Sequence, residues 1–326
     1  MKGETALSLM PNGRGASAPK KISMKKGKLN VGVLLIVGLL AMSQFQPYTD
    51  AQTTPEETPT PEVTATPETD IPMPIDADDI PEGWFLLWND EFSGTEINKQ
   101  NWFYDTGGNG FGNNELQYYT DSPKNSYVED GNLVIQALEE DYLGLNYTSA
   151  KLRTLVLQEW MYGRIDIRAK LSYGKGLWPA FWMLPARSTY GSWPHSGEID
   201  IMEHLGHQPE TVYGTLHYSS SVGHRYTGSH YTLSEGTFSD DFHTFTLIWE
   251  PDRFQWYVDG MLYQEQTEWQ TRNGDYPAPF NHKFYLIINL AVGGNWPGNP
   301  DETTTFPQSV LVDYVRVYQT EAMQDS

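Results

Sequence analysis

The 326-residue chain contains no cysteine, which excludes disulfides as a source of stability and leaves no thiol for a lipid anchor. Basic residues are scarce: 21 Lys and Arg stand against 42 Asp and Glu, for a formal net charge of -21. A surface of that sign does not seek nucleic acid or anionic membranes. Long apolar runs are missing as well. The one prominent stretch, Val31 to Met42, is far shorter than the ~20 residues of a membrane-spanning helix. No sustained helical period stands out in the rest of the chain, so strands are expected to carry the fold.

What is present divides the chain by composition. Lys20, Lys21, Lys25, Lys26 and Lys28 precede the apolar run and small or polar residues follow it, the order of a secretory signal peptide. Cleavage after Ser43 and after Ala51 both fit this pattern, so residues 1–51 are assigned as a leader and the mature protein is expected outside the cell. Residues 52–82 turn to Thr, Pro, Glu and Asp without one Lys or Arg, the composition of a disordered spacer, either a tether or a solvated leader. Residues 1–50 carry seven bases and two acids, so the exported remainder is near -26 (-21 minus +5). A neutral polysaccharide is compatible with such a charge, whereas a sulfated one is repelled. Residues 83–320 read as one folded domain, residues 321–326 as a C-terminal tail, and a monomer without stable membrane insertion is expected.

Inside the domain, short alternating runs are punctuated by Gly, Pro, Asn and Asp. Arg164 to Leu171 alternates polar with apolar residues, as a half-buried strand does. Phe254, Trp256 and Val258 alternate with Gln255 and Tyr257, and Asp259-Gly260 offers a two-residue hairpin turn before Met261-Leu262-Tyr263. Phe284 to Val292 reads as an apolar strand interrupted by Asn289. Many short strands with tight turns predict an all-β sandwich or barrel.

The run Gly197-Glu198-Ile199-Asp200-Ile201-Met202-Glu203-His204-Leu205-Gly206 places three carboxylates on an otherwise apolar strand. Alternation puts Glu198 and Asp200 on one face and the isoleucines on the other. A β-bulge at Ile201-Met202 returns Glu203 to the acidic face. Like charges so crowded destabilise a strand unless a function needs them. Paired carboxyls flanking a glycosidic bond are the equipment of most sugar hydrolases, ~5–5.5 Å apart in retaining enzymes and ~6.5–9.5 Å in inverting ones. The backbone between Glu198 and Glu203 spans ~13 Å at ~3.3 Å per residue, so inward-leaning side chains are needed for retention, and spacing does not say which Glu takes which role.

Eleven Trp surround this run in clusters. Trp249 and Trp256 follow strand patterns and are assigned to the core. Trp193 and Trp296 lie in Gly/Pro-containing loops, where flat rings are free to cover sugar faces. His217 fits a strand, where a structural histidine is one reading. Glu203-His204-x-x-His207 is not the His-Glu-x-x-His helix of zinc enzymes, and Gly107 to Gly112 fails phosphate-loop spacing. Asn146-Tyr147-Thr148 is a glycosylation sequon.

The acidic run resembles the signature of glycoside hydrolase family 16, E-[ILV]-D followed by a last Glu, with Met202 as the optional extra residue before it. That longer form is similar to the laminarinase-type endo-β-1,3-glucanases and the agarases, and unlike the lichenases. The resemblance implies a concanavalin A-like jelly roll, two curved antiparallel sheets with a concave substrate cleft. It implies Glu198 as nucleophile, Glu203 as acid and base, and Asp200 between them. It also implies substrate contacts from Asn114, Tyr119, Trp178, Trp182, Trp193, His217 and Trp296, on a β-1,3-glucan such as laminarin. Leu311, Val315 and Val317 share a strand face with Asp313, and a lone acid among apolar neighbours wants a partner; an Arg would serve, but the family suggests structural Ca²⁺ held by Glu91, the carbonyl of Gly131 and Asp313. No cofactor is expected for catalysis. The rival readings are another family activity (agarase, carrageenan or mixed-linkage glucan hydrolysis, transglycosylation) and a non-catalytic sugar-binding sandwich.

Overall fold

The computed structural model describes residues 80–324; the leader at 1–51, and the spacer as far as residue 79, lie outside the described residues. The strands run β1 (Phe85–Asp90), β2 (Phe103–Tyr104), β3 (Gln117–Tyr119), β4 (Ser126–Glu129), β5 (Asn132–Tyr142), β6 (Leu145–Ser149), β7 (Lys151–Arg153), β8 (Gly163–Lys170) and β9 (Leu177–Pro185). They continue with β10 (Glu198–His204), β11 (Thr211–Ser220), β12 (Gly223–Thr232), β13 (His243–Glu250), β14 (Arg253–Val258), β15 (Met261–Gln266), β16 (Phe284–Val292) and β17 (Gln308–Gln319). A seven-stranded sheet has the order β12-β11-β10-β9-β16-β7-β2. A ten-stranded sheet runs β15-β14-β13-β8-β17-β5-β6-β3, with β1 against β17 and β4 against β5. The pairings are antiparallel apart from β3 with β6. This is the two-sheet all-β sandwich expected from the sequence.

Alternation explains the layers. On β9, Leu177, Pro179, Phe181 and Met183 are buried, while Trp178 and Trp182 between them are only half-buried. The buried set meets the other sheet, where Phe245, Leu247 and Trp249 of β13 and Phe254, Trp256 and Val258 of β14 point inward, with the Phe181 and Phe245 rings 6.0 Å apart. Trp249 and Trp256 are fully buried, as expected. The β14–β15 hairpin turns on Asp259 and Gly260, both at positive φ, with Val258 opposite Met261. β16 is buried along its whole length. One of its faces packs in the core and the other lies under the cleft.

Within the C-terminal tail, Glu321–Gln324 is a short helix whose Met323 is buried in the core. One expectation changes here. On β17 the buried set switches from Val310 and Val312 to Val315 and Val317 at a bulge between Val312 and Tyr314. Asp313 therefore leaves the apolar face, and its carboxylate meets Arg168 Nη1 at 2.5 Å. Among the described residues no helix is long and apolar enough to cross a membrane.

Candidate active site

One face of the seven-stranded sheet lines a cavity of about 1020 Å³. Every second residue of β9 contributes (Trp178, Ala180, Trp182, Leu184), as do Glu198, Asp200 and Glu203 of β10 and Tyr213, Thr215 and His217 of β11. The bulge is where the sequence placed it. Asp200 lies opposite Thr215 and Glu203 opposite Tyr213, so β10 uses one more residue than β11 between these points; the same slip occurs against β9. Ile201 and Met202 are both buried on the core side. Trp256, from the opposite sheet, donates its indole N–H to the Asp200 carbonyl at 2.9 Å. A bulge disrupts the regular ladder, and this cross-sheet bond supplies a partner beside it.

Each terminal acid has its own tryptophan. Trp193 Nε1 donates to Glu198 Oε2 at 2.8 Å and Trp178 Nε1 donates to Glu203 Oε1 at 3.2 Å. Around Glu203, the Trp178 and Trp296 rings meet edge-on at 5.7 Å, and Tyr213 is 5.0 Å from Trp296. Around Glu198, His217 Nε2 lies 4.0 Å from Glu198 Oε1 and 3.3 Å from Asp200 Oδ2. Atoms of Glu198, Asp200 and His217 lie within 4.8 Å of one another, close enough for their charges to interact strongly.

Burial dominates the electrostatics. It raises the Glu198 carboxyl to about 8, helped by the Asp200 charge, while His217, the Trp193 N–H and Lys151 pull it back down. Asp200 is likewise raised to about 8 by burial. Glu203 is pushed well above the ordinary carboxylate range, first by burial and then by the Asp200 and Glu198 charges. The trio thus resists carrying three charges at once. Burial and neighbouring charge favour a proton at Glu203, while Glu198 has His217, Trp193 and Lys151 to favour its charge.

Of the expected substrate contacts, Trp178, Trp182, Trp193, His217 and Trp296 line the cavity, and Trp193 (54% exposed) and Trp296 (42%) present open ring faces. Asn114 does not line it: its amide donates to Asn295 Oδ1 at 2.9 Å and ties two loops together, while its neighbours Asn113 and Glu115 face the cavity. Tyr119 is 1% exposed and lies beneath the floor, donating to Glu115 Oε2 and accepting from the Asn289 amide. Asn289, the polar break in β16, also accepts the Trp182 indole N–H at 2.7 Å, which accounts for a polar residue in a buried strand. His204 turns into the core, where its Nδ1–H donates to the Thr211 carbonyl, and burial lowers its pKa to about 4; it does not join the acids.

Sequence reasoning missed Lys151, whose buried ammonium sits 4.8 Å from both the Phe111 and Trp182 ring centroids and 3.9 Å from Asp105. Its signal was a lysine between Ala150 and Leu152. Phe111, in the glycine-rich loop, also lines the cavity.

The suggested calcium donors converge by register. Asp90 pairs with Val315 and Leu133 with Val312, so Glu91 and Gly131 approach the same edge of β17 near Asp313. Asn132 Oδ1 is buried beside them without a hydrogen-bond partner. Oxygen donors of this kind suit a hard cation. Both carboxylates nevertheless have arginine partners, Glu91 through a two-pronged pair with Arg316 (3.0 and 2.9 Å) and Asp313 with Arg168, so a cation would have to displace them.

The family model described as glycosyl hydrolases family 16 matches residues 113–316. A beta-glucanase of Rhodothermus marinus is 43% identical over 75% of this chain and 88% of its own. A glucan endo-1,3-beta-glucosidase A1 of Niallia circulans is 42% identical over 77% of this chain, which covers 40% of that longer protein. Among solved structures, an endo-beta-1,3-glucanase from Pyrococcus furiosus is 47% identical, with a TM-score of 0.66 over 73% of this chain and 95% of that one.

Proposed function

This chain belongs to family 16 of the glycosyl hydrolases, and we propose that it is an endo-acting enzyme that cleaves internal β-1,3-glucosidic bonds of laminarin-like glucans with retention. It is a glycoside hydrolase. The observation that carries the mechanism is the asymmetry of the acids. Glu198, 17% of whose side chain is open to the cleft, has Trp193, His217 and Lys151 to favour its charge. Glu203 is pushed toward its protonated form by burial and by the Asp200 and Glu198 charges. Glu198 therefore suits the nucleophile and Glu203 the acid.

In the first step Glu203 gives its proton to the glycosidic oxygen as the C–O bond breaks and Glu198 bonds to the anomeric carbon. In the second, Glu203 takes a proton from water, which attacks the same carbon and frees Glu198. Two inversions give net retention. Asp200, between them, stabilises a single shared proton in the trio.

The relatives named above act on β-1,3-glucan or β-glucan, and the negative chain favours a neutral polymer, which supports laminarin over sulfated galactans. The reading includes export, supported by the basic and apolar leader, because a polysaccharide must be met outside the cell. A structural Ca²⁺ at Glu91, Gly131 and Asp313 belongs to it as a stabiliser, with no part in catalysis. The test is a panel of laminarin, lichenan, agarose and carrageenan assayed for new reducing ends, with product anomers followed by NMR. Laminarin cleavage with the β-anomer released first is expected. Initial α-anomer would refute retention, and activity on agarose alone would overturn the substrate.

A further inference from the structure

His217 makes a contact that the reaction as described does not use. Its Nδ1 lies 2.9 Å from Nε2 of His224, an exposed residue of the edge strand β12. The two rings stand 5.2 Å apart, and the Trp193 ring covers His224 from the loop side at 4.8 Å. The groups facing His224 are thus His217 from β11, Trp193 from the loop before β10 and Tyr226 from its own strand. Burial and the neighbouring His217 lower the His224 pKa, which favours a neutral ring.

Two imidazole nitrogens at hydrogen-bond distance hold one proton between them, and the hydrogen bond at one ring nitrogen sets the tautomer at the other. On its far side, His217 Nε2 confronts Asp200 and Glu198, which accept hydrogen bonds when ionised, as Glu198 must be to attack. In the reactive state, with the proton of the trio on Glu203 and Asp200 and Glu198 ionised, a bare Nε2 there would set a lone pair against a carboxylate. A neutral His217 can carry Nε2–H only if its Nδ1 accepts, and the group placed to donate is His224 Nε2–H. We propose that His224 is a positioning residue that holds His217 in the tautomer whose Nε2–H faces Asp200 and Glu198. The 3.3 Å contact to Asp200 is not yet an aligned hydrogen bond, for Asp200 Oδ2 has no such partner in the free protein. Such bonds commonly tighten when substrate enters.

The role rests on the assignment of Glu198 as nucleophile, and its test is partly independent of substrate. In ¹⁵N-histidine-labelled free protein, long-range ¹H–¹⁵N spectra should show His217 as the Nε2–H tautomer, and His224→Ala should change or mix it. Kinetics are read on whichever β-glucan of the panel is cleaved. His224→Ala should lower kcat about tenfold with little change in KM and shift the pH profile, the low end of what removing a functional histidine's outer partner costs. His224→Gln, which retains an N–H donor, should recover most of kcat. An Nδ1–H tautomer in the unaltered protein, an unaffected Ala variant, equal losses in both variants, or a rise in KM alone would each overturn the proposal. Failure of the glucan assignment would instead appear in the panel with the tautomer unchanged.

Discussion

Trp193 Nε1 donates to Glu198 Oε2 over 2.8 Å, from a loop only five residues upstream of the acid. The indole is half exposed and also covers His224, so one ring caps Glu198, the proposed nucleophile, and screens the histidine pair. Trp193→Phe removes the N–H and keeps most of the ring. Since that N–H favours the charged carboxylate, its loss should raise the Glu198 pKa, move the acid limb of kcat/KM to higher pH and cost about 1.5–3 kcal/mol of its stabilisation. An unchanged acid limb would show that the bond is idle.

Glu198 also links activity to stability. Its pKa is raised in the folded protein from the ordinary 4.5 to about 8, so between these values the native state holds a proton that the unfolded chain has released. Stability from this group is present at low pH and is lost as pH rises through the folded value. Glu198→Gln cannot ionise, so its melting temperature should exceed that of the unaltered protein by roughly 2–4 °C per kcal/mol relieved at pH 8, with a smaller difference at pH 5. Turnover should nearly vanish while glucan binding persists. A variant less stable at pH 8, measured by thermal unfolding, would contradict the linkage.

The Trp256 indole, fully buried, donates to the Asp200 carbonyl beside the bulge. Trp256→Phe should leave that carbonyl without this partner and cost about 1–3 kcal/mol in denaturant unfolding, besides the packing lost. Because the bulge aims Glu203, kcat should fall as well. A destabilised variant with native kcat would mean that the bulge holds its shape without this bond.

For calcium, a chelator should lower the melting temperature while activity at low temperature survives. If Arg316 and Arg168 alone satisfy Glu91 and Asp313, chelation will produce no thermal shift, and the ion has no place in this protein.

Much of the site was legible because alternation and bulges are local. The shared face of Glu198, Asp200 and Glu203, the buried Ile201 and Met202, and the Asp259-Gly260 turn all follow from neighbouring residues. The positions of Asn114 and Tyr119 were not legible, because a loop motif does not say which of its side chains turns outward. Asn114 closes onto Asn295 and Tyr119 drops beneath Asn289. Lys151, on the three-residue β7, and His224, at the start of β12, gave only faint signals, since a single lysine or histidine has no periodicity of its own.

The sequence by itself determined an all-β chain with three acids on one strand face and exposed tryptophans near them. Tertiary structure decided how those acids differ. Glu203 meets Trp178 across 25 residues, the Asp200 carbonyl meets Trp256 across 56, and Glu91 meets Arg316 across 225. Strand periodicity needs only the rotation of one residue relative to the next. Protonation and hydrogen bonding depend on burial and on partners from neighbouring strands, as with Trp178, or from the opposite sheet, as with Trp256, which only the folded sandwich brings together.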